Sequence, residues 1–188
     1  MDITNLKKEY ITSVIGLLRS IKDSEVQKLL NEIIEVRKSN RKILVVGNGG
    51  SALNAIHFSM GISIVSKKWK NPIKAIALSE SSLITSIAND YGFEHVYSKL
   101  LEVYAEENDL LICLSTSGNS VNVINAVIEA KNRNIRTFAL LGSDGGSLLS
   151  LVDNYILIEC ENKDSGQAED IHMIIGHFLT SILEHHDG

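Results

Sequence analysis

The sequence predicts a doubly wound α/β domain, a five-stranded parallel sheet between helices, with a helix pair added at the N-terminus. Three observations predict it. Short apolar runs recur at 43–46, 73–78, 110–114, 137–141 and 155–158 without the polar alternation of half-exposed strands, so they read as strands buried on both faces. Helical patterns separate them near 51–64, 81–88, 92–106, 120–133 and 145–151, and a last one runs from about 168 to 184. Strand–helix alternation with right-handed crossovers makes the sheet parallel. Third, residues 1–40 carry helical periodicity alone.

In the first helix Leu6, Tyr10, Val14, Leu17, Leu18 and Ile21 fall on one face. The second is expected to start at Ser24, because Ser24 and Gln27 have capping-box spacing. Its apolar residues are Val26, Leu29, Leu30, Ile33, Ile34 and Val36. These faces need a partner, either the domain itself or another subunit.

The chain has 188 residues, 44% apolar and 22% charged, which suits one globular domain spanning 1–188. Eighteen Lys and Arg against 23 Asp and Glu leave a net charge of −5, so bulk electrostatics favour neither nucleic acid nor an anionic membrane. No apolar run is long enough to cross a membrane, and the N-terminus lacks a signal peptide's order of basic then apolar residues. Two cysteines in apolar runs, Cys113 and Cys160, exclude a disulfide framework and suit a reducing compartment. Neither repeats nor a linker are evident, and Pro72 is the single proline.

Ligands of such sheets bind beyond the carboxyl ends of the strands. Two loops there carry information. The first strand runs into Gly47-Asn48-Gly49-Gly50-Ser51-Ala52 and the third into Ser115-Thr116-Ser117-Gly118-Asn119-Ser120, and each opens a helix. A helix start offers unpaired N–H groups and a positive dipole end, glycine lets the backbone approach a ligand, and hydroxyls donate to anion oxygens. Taken alone, the first loop also fits a dinucleotide fingerprint, or a Gly-rich turn that merely packs strand on helix. The dinucleotide reading needs an acidic residue about 20 positions on, whereas the next strand reaches Glu80 about 30 positions on. Adding the serine cluster of the second loop favours a compact phosphate ester.

GNGGSA, a following helix with His57-Phe58, then Asn89-Asp90-Tyr91-Gly92-Phe93-Glu94, STSGNS, and Ile171-His172-Met173-Ile174-Ile175-Gly176-His177 together resemble the sugar-isomerase (SIS) domain family, and within it the phosphoheptose isomerases. The likeness spans about residues 5–184. The resemblance implies a cytoplasmic homotetramer with N-terminal helices at the subunit interface and active sites between subunits. It implies conversion of sedoheptulose 7-phosphate to glycero-manno-heptose 7-phosphate for bacterial surface polysaccharide. On that model Ser51, Ser115, Ser117 and Ser120 hold the phosphate, with Gly49 and Gly50 in the same turn, and Asn48 and Thr116 line the sugar site. Asp90 and Glu94 are candidates for the sugar hydroxyls, against a plain reading as helix N-terminal charge.

Interconverting an aldose and a ketose moves a proton between C1 and C2, which needs a base and a group that polarises the carbonyl. Glu169 and His177 are the catalytic candidates. They are about 80° apart around a helix and about 12 Å apart along it. The resemblance also implies zinc. Its pattern of a His, a Glu four residues later, and a Gln and a His on the last helix falls on His57, Gly61, Glu169 and His177, so two positions depart. Residues 165–168 also lack the family's Arg, and ALSESS (77–82) lacks its Asp. Two outcomes follow. Either His57, Glu169 and His177 form a His₂Glu zinc set with the carboxylate relocated, or the chain is a phosphosugar-binding SIS module without turnover, of the kind that binds the replication initiator. Retention of His57 with His177 favours the enzyme. His95, His172, His185 and His186 read as solvated or satisfied residues, and Trp69 beside Lys67, Lys68 and Lys70 as a surface loop.

Overall fold

The computed structural model describes residues 2–161 and 165–185. In chain order the elements are α1 (Ile3–Ser20), α2 (Asp23–Lys38), β1 (Lys42–Gly47), α3 (Gly50–Val65), β2 (Lys74–Ala77), α4 (Ser81–Tyr91), α5 (Val96–Tyr104), β3 (Leu110–Ser115), α6 (Val121–Asn132), β4 (Arg136–Gly142), α7 (Leu148–Leu151), β5 (Asn154–Ile158) and α8 (Ser165–Glu184). The strands form one parallel sheet in the order β2-β1-β3-β4-β5. The expected class therefore stands.

The side-chain period of two divides each central strand between two cores. Ile43 and Val45 of β1 join Phe138 and Leu140 of β4 under α2, α3 and α8, with α1 packed alongside. Leu44 and Val46 face the other way, toward α5, α6 and α7. The edges differ from the expected double burial: in β2 Ile76 is 44% exposed, and in β5 Tyr155 is 38% exposed.

The helix starts follow local chemistry. Asp2 caps α1 by accepting from Thr4 N at 3.0 Å and Asn5 N at 3.2 Å. The expected Ser24 cap does not form. The helix begins one residue earlier, Lys22 stands at the cap without a side-chain bond, and Gln27 donates to Asn31 at 2.9 Å instead. Asp23 and Glu25 in the first turn supply the favourable charge. The helix expected over 145–151 shrinks to Leu148–Leu151, because Gly145 (φ 80) and Gly146 (φ 51) make a turn first. The stretch expected as a helix over 92–106 is broken by a short 3₁₀ turn at Phe93–His95. Trp69 is not a surface residue: it is 7% exposed and lies beneath the Arg37 guanidinium, 4.4 Å from the ring centre.

α1 docks on α8 through two hydrogen bonds. Tyr10 OH donates to Asp170 Oδ2 at 2.5 Å and Ser13 Oγ donates to Gln167 Oε1 at 2.6 Å. These bonds fasten the start of α8 on both sides of Glu169.

Candidate active site

β1 and β3 are neighbours in the sheet, so their two outgoing turns lie side by side at its carboxyl end. This is also where the strand order reverses, the place where open α/β sheets bind ligands. In the first turn Gly49 adopts φ 54, a conformation open to glycine, and no side chain caps α3. The helix start therefore keeps N–H groups for an anion. Ser51 is buried there and Gly49 is exposed.

The second turn is wound on its own hydroxyls. Ser115 Oγ accepts from Gly118 N at 3.1 Å, and Ser117 Oγ accepts from Asn119 N at 3.2 Å. As acceptors, both hydroxyls keep their O–H to donate outward. Ser120 sits at the start of α6 without capping it through its side chain, and Thr116 between them is half-buried. The loop after β4 buttresses this turn. Gly118 (φ 63) lies against the Gly145 carbonyl, where no Cβ would fit, and Asn119 Oδ1 accepts from Ser147 N at 2.9 Å and Ser147 Oγ at 3.0 Å. Nothing in the STSGNS motif itself signalled that support.

Asn48, expected in the sugar site, stands half-buried in the first turn. Its amide is engaged with Asn122: Asn48 Nδ2 donates to Asn122 Oδ1 and Asn122 Nδ2 donates to Asn48 Oδ1, both at 2.8 Å. Tyr97 OH donates to the Gly47 carbonyl and stands 3.3 Å from Asn48 Oδ1. Burial pushes the Tyr97 phenol up to about 12, with the Gly47 bond acting in the opposite sense, so it stays a donor. Asn122, 2% exposed, and Tyr97, 3% exposed, went unread in the sequence. The polar residue two places beyond Ser120 was the one available signal.

α3 and α8 lie side by side, and small residues let them approach. A Cβ on Gly61 would fall 2.9 Å from Thr180 Cγ2, and one on Gly176 would fall 3.0 Å from Phe58 Cδ2. This contact brings His57 and His177 together, Nε2 to Nε2 at 2.7 Å, with ring centres 4.8 Å apart and planes at 82°. At that distance one imidazole donates to the other, which fixes opposite tautomers on the two rings. His177 is exposed and His57 half-exposed.

Glu169 is not with them. Its carboxylate lies over Gly50, close enough that no Cβ would fit there, and Asn54 Nδ2 donates to its backbone carbonyl at 2.8 Å. The expected His₂Glu set is thus split: two imidazoles meet on the flank, and the carboxylate sits two turns away at the mouth of the first turn. Among the described residues no three His, Cys, Asp or Glu side chains converge on one point. A catalytic zinc takes three protein ligands, and these residues do not fit it as they stand.

Asp90 lies at the carboxyl end of α4 rather than at a helix start, which removes the dipole reading; it is exposed and accepts from Asn89 Nδ2 at 2.9 Å. Glu94 is exposed in the 3₁₀ turn. Glu80, the acidic residue a dinucleotide would need, caps α4 instead, accepting from Leu83 N at 2.8 Å. His172 is 1% exposed; neither ring nitrogen makes a hydrogen bond of normal geometry, and burial pulls its pKa down to about 4 despite the nearby Leu141 carbonyl. His95 is half-buried, His185 is exposed with Nδ1 2.8 Å from Ser181 O, and His186 lies outside the described residues.

The comparisons with known proteins bear on this arrangement. A model of the SIS domain matches residues 9–142. A phosphoheptose isomerase of Fusobacterium nucleatum is 38% identical over 184 residues, covering 96% of this chain and 94% of that protein. One from Helicobacter pylori is 34% identical, covering 96% and 95%. The solved phosphoheptose isomerase of Francisella tularensis superposes with a TM-score of 0.88 at 26% identity, over 98% of this chain and 97% of that one. That of Neisseria gonorrhoeae gives 0.86 at 28%, over 97% and 96%.

Proposed function

The chain belongs to the SIS-domain family, among the phosphoheptose isomerases, and from that premise we infer that it is an aldose–ketose isomerase converting sedoheptulose 7-phosphate to its aldose, glycero-manno-heptose 7-phosphate. The observation that carries the reading is the pair of serine-lined turns at the ends of β1 and β3, opening two helices whose N-cap residues make no side-chain bond. Helix N–H groups together with the O–H of Ser115 and Ser117 suit a phosphate monoester, and Ser51 and Ser120 stand in the same turns.

Phosphate at C7 would sit in the turns, so C1 and C2, where the proton moves, lie at the far end of the sugar. His57 is six residues beyond Ser51, about 9 Å along α3. The imidazole pair thus stands at a sugar's length from the turns, whereas Glu169 stands beside them. In this reading His177, hydrogen-bonded to His57, takes the proton from C1. The C2 carbonyl oxygen gains a proton, and the enediol forms. The proton then returns at C2 while the C1 hydroxyl gives up its own, leaving the aldehyde. Glu169, beside the turns, is a candidate to hold sugar hydroxyls, and the proton lost from the C1 hydroxyl is the one gained by the neighbouring C2 oxygen. His57 and His177 would supply zinc with two nitrogen ligands, and metal analysis of the purified protein decides the matter.

Enolisation needs water kept out, yet His177 is exposed in a single chain. A homotetramer would supply the cover. What supports it is the outer face of α3, where Leu53, Ile56, Met60 and Ile64 are 46–67% exposed, together with α1, which buries no residue fully. Among the described residues no helix is long and apolar enough to cross a membrane. A cytoplasmic enzyme supplying heptose for surface polysaccharide completes the reading. Incubation with sedoheptulose 7-phosphate, followed by NMR, tests it: an aldose phosphate should appear, and its absence with metal-free and zinc-loaded protein alike would refute the activity.

A further inference from the structure

The two turns that grip the phosphate in this functional reading come from different strands, and affinity for one group shared between them depends on their spacing. Hydrogen bonds within each turn cannot set that spacing. What crosses from one to the other is the reciprocal amide pair of Asn48, in the first turn, and Asn122, in the first turn of α6, at 2.8 Å in both directions. Asn122 Oδ1 also accepts from Val123 N at 3.0 Å, which ties the pair to the helix start itself. From α5, behind both, Tyr97 donates to the Gly47 carbonyl and approaches Asn48 Oδ1 at 3.3 Å. Asn122 and Tyr97 are almost wholly buried, so water competes poorly for these bonds and the geometry is stiff.

We propose that Asn122 and Tyr97 are positioning residues, which hold the Gly47–Ser51 turn and the start of α6 at the separation that a single phosphate group bridges. The proposal rests on the isomerase reading and adds a role for two side chains that do not touch substrate. Asn48 also acquires a different role, because its amide links the turns while the N–H groups around it face the anion.

A brace and a plain core contact predict different kinetics. If the pair sets the spacing, Asn122→Ala raises KM for sedoheptulose 7-phosphate and the Kd of inorganic phosphate together, by about tenfold, the scale of coupling inside one hydrogen-bond network. The value of kcat changes little, because the reacting carbons lie elsewhere. Asn48→Ala gives the same rise, and the double variant gives no more than either alone, since both remove one link. Tyr97→Phe is isosteric and keeps the test alive if an alanine variant fails to fold; it shifts both constants in the same direction by a smaller factor. Calorimetric titration with inorganic phosphate, steady-state kinetics and thermal melts read all of these. A lowered Tm with KM and Kd unchanged would overturn the proposal, leaving a structural role alone. So would independent, multiplying effects of Asn48→Ala and Asn122→Ala, which would place the Asn48 amide on the sugar. Wild-type protein that binds neither phosphate nor the ketose phosphate would overturn the functional reading itself, and the brace with it.

Discussion

The carboxyl end of the sheet and the α3–α8 flank meet at Glu169, but they are organised differently. At the sheet end, the serine turns are held by backbone: Ser115 and Ser117 accept from amides within their own turn, and the residue 145–147 loop supports them from outside. On the flank, His57 and His177 meet because two helices pack closely through Gly61 and Gly176. A turn that winds on itself is written in a few consecutive residues. A pair of side chains 120 positions apart depends on how everything between them packs. Each serine turn is therefore wound locally, whereas the spacing between the turns and the chemical half of the site are tertiary.

Substitutions in each half should separate binding from chemistry. His177→Ala should lower kcat by about 10²–10⁴, the usual worth of a general base, with KM little changed. A loss confined to KM would move the chemistry away from the flank. Next in size is an acid effect on the same helix. Folded His172 titrates near pH 4 and the unfolded residue near 6.5, so below 6.5 the unfolded chain takes up a proton that the folded one refuses. Stability contributed by neutral, buried His172 is complete above pH 6.5 and falls by roughly 3 kcal/mol as pH drops toward 4. Urea unfolding of wild type and His172→Leu at pH 7.5 and 4.5 should show the variant losing less, and equal losses would contradict the burial argument.

On the binding side, Ser117→Ala should raise KM for the phosphosugar by about tenfold or more, as for a hydrogen bond to a charged group of ~1.5–3 kcal/mol, and leave kcat within a small factor. A kcat effect of that size would blur the division between the two halves. The smallest effect concerns helix packing. Ala is favoured over Gly in a helix by about 1 kcal/mol, yet Gly61→Ala should not stabilise, because its Cβ meets Thr180 Cγ2 at 2.9 Å. In a Thr180→Ser background, which lacks that methyl, the same change should raise Tm by about 2–4 °C. A gain of equal size in both backgrounds would show that the helices are not in tight contact.

The same division explains what was legible in the sequence. The strands, the added helix pair and both turns could be read, because apolar runs and Gly/Ser clusters report on their own segment. Misreadings came where distant residues decide. Trp69 looks like part of a basic surface loop until Arg37 of α2 covers it. The partner of the Asn48 amide, Asn122, lies 74 positions away and is not legible from the first turn. Helix geometry dictates the separation of Glu169 and His177 but not which neighbour each meets. Glu169 meets Gly50, and His177 meets His57. The Ser24 cap failed because Asp23 extends the helix by one residue, a local competition that capping-box spacing does not weigh.

A crystal structure with sedoheptulose 7-phosphate would decide between these roles at once. Phosphorus should lie between the Gly49–Ser51 and Ser115–Ser120 turns, within hydrogen-bond reach of Ser115 and Ser117, with C1 beside the His57–His177 pair. An ordered ligand with its phosphate elsewhere, or with C1 against the serine turns, would refute that division of the site.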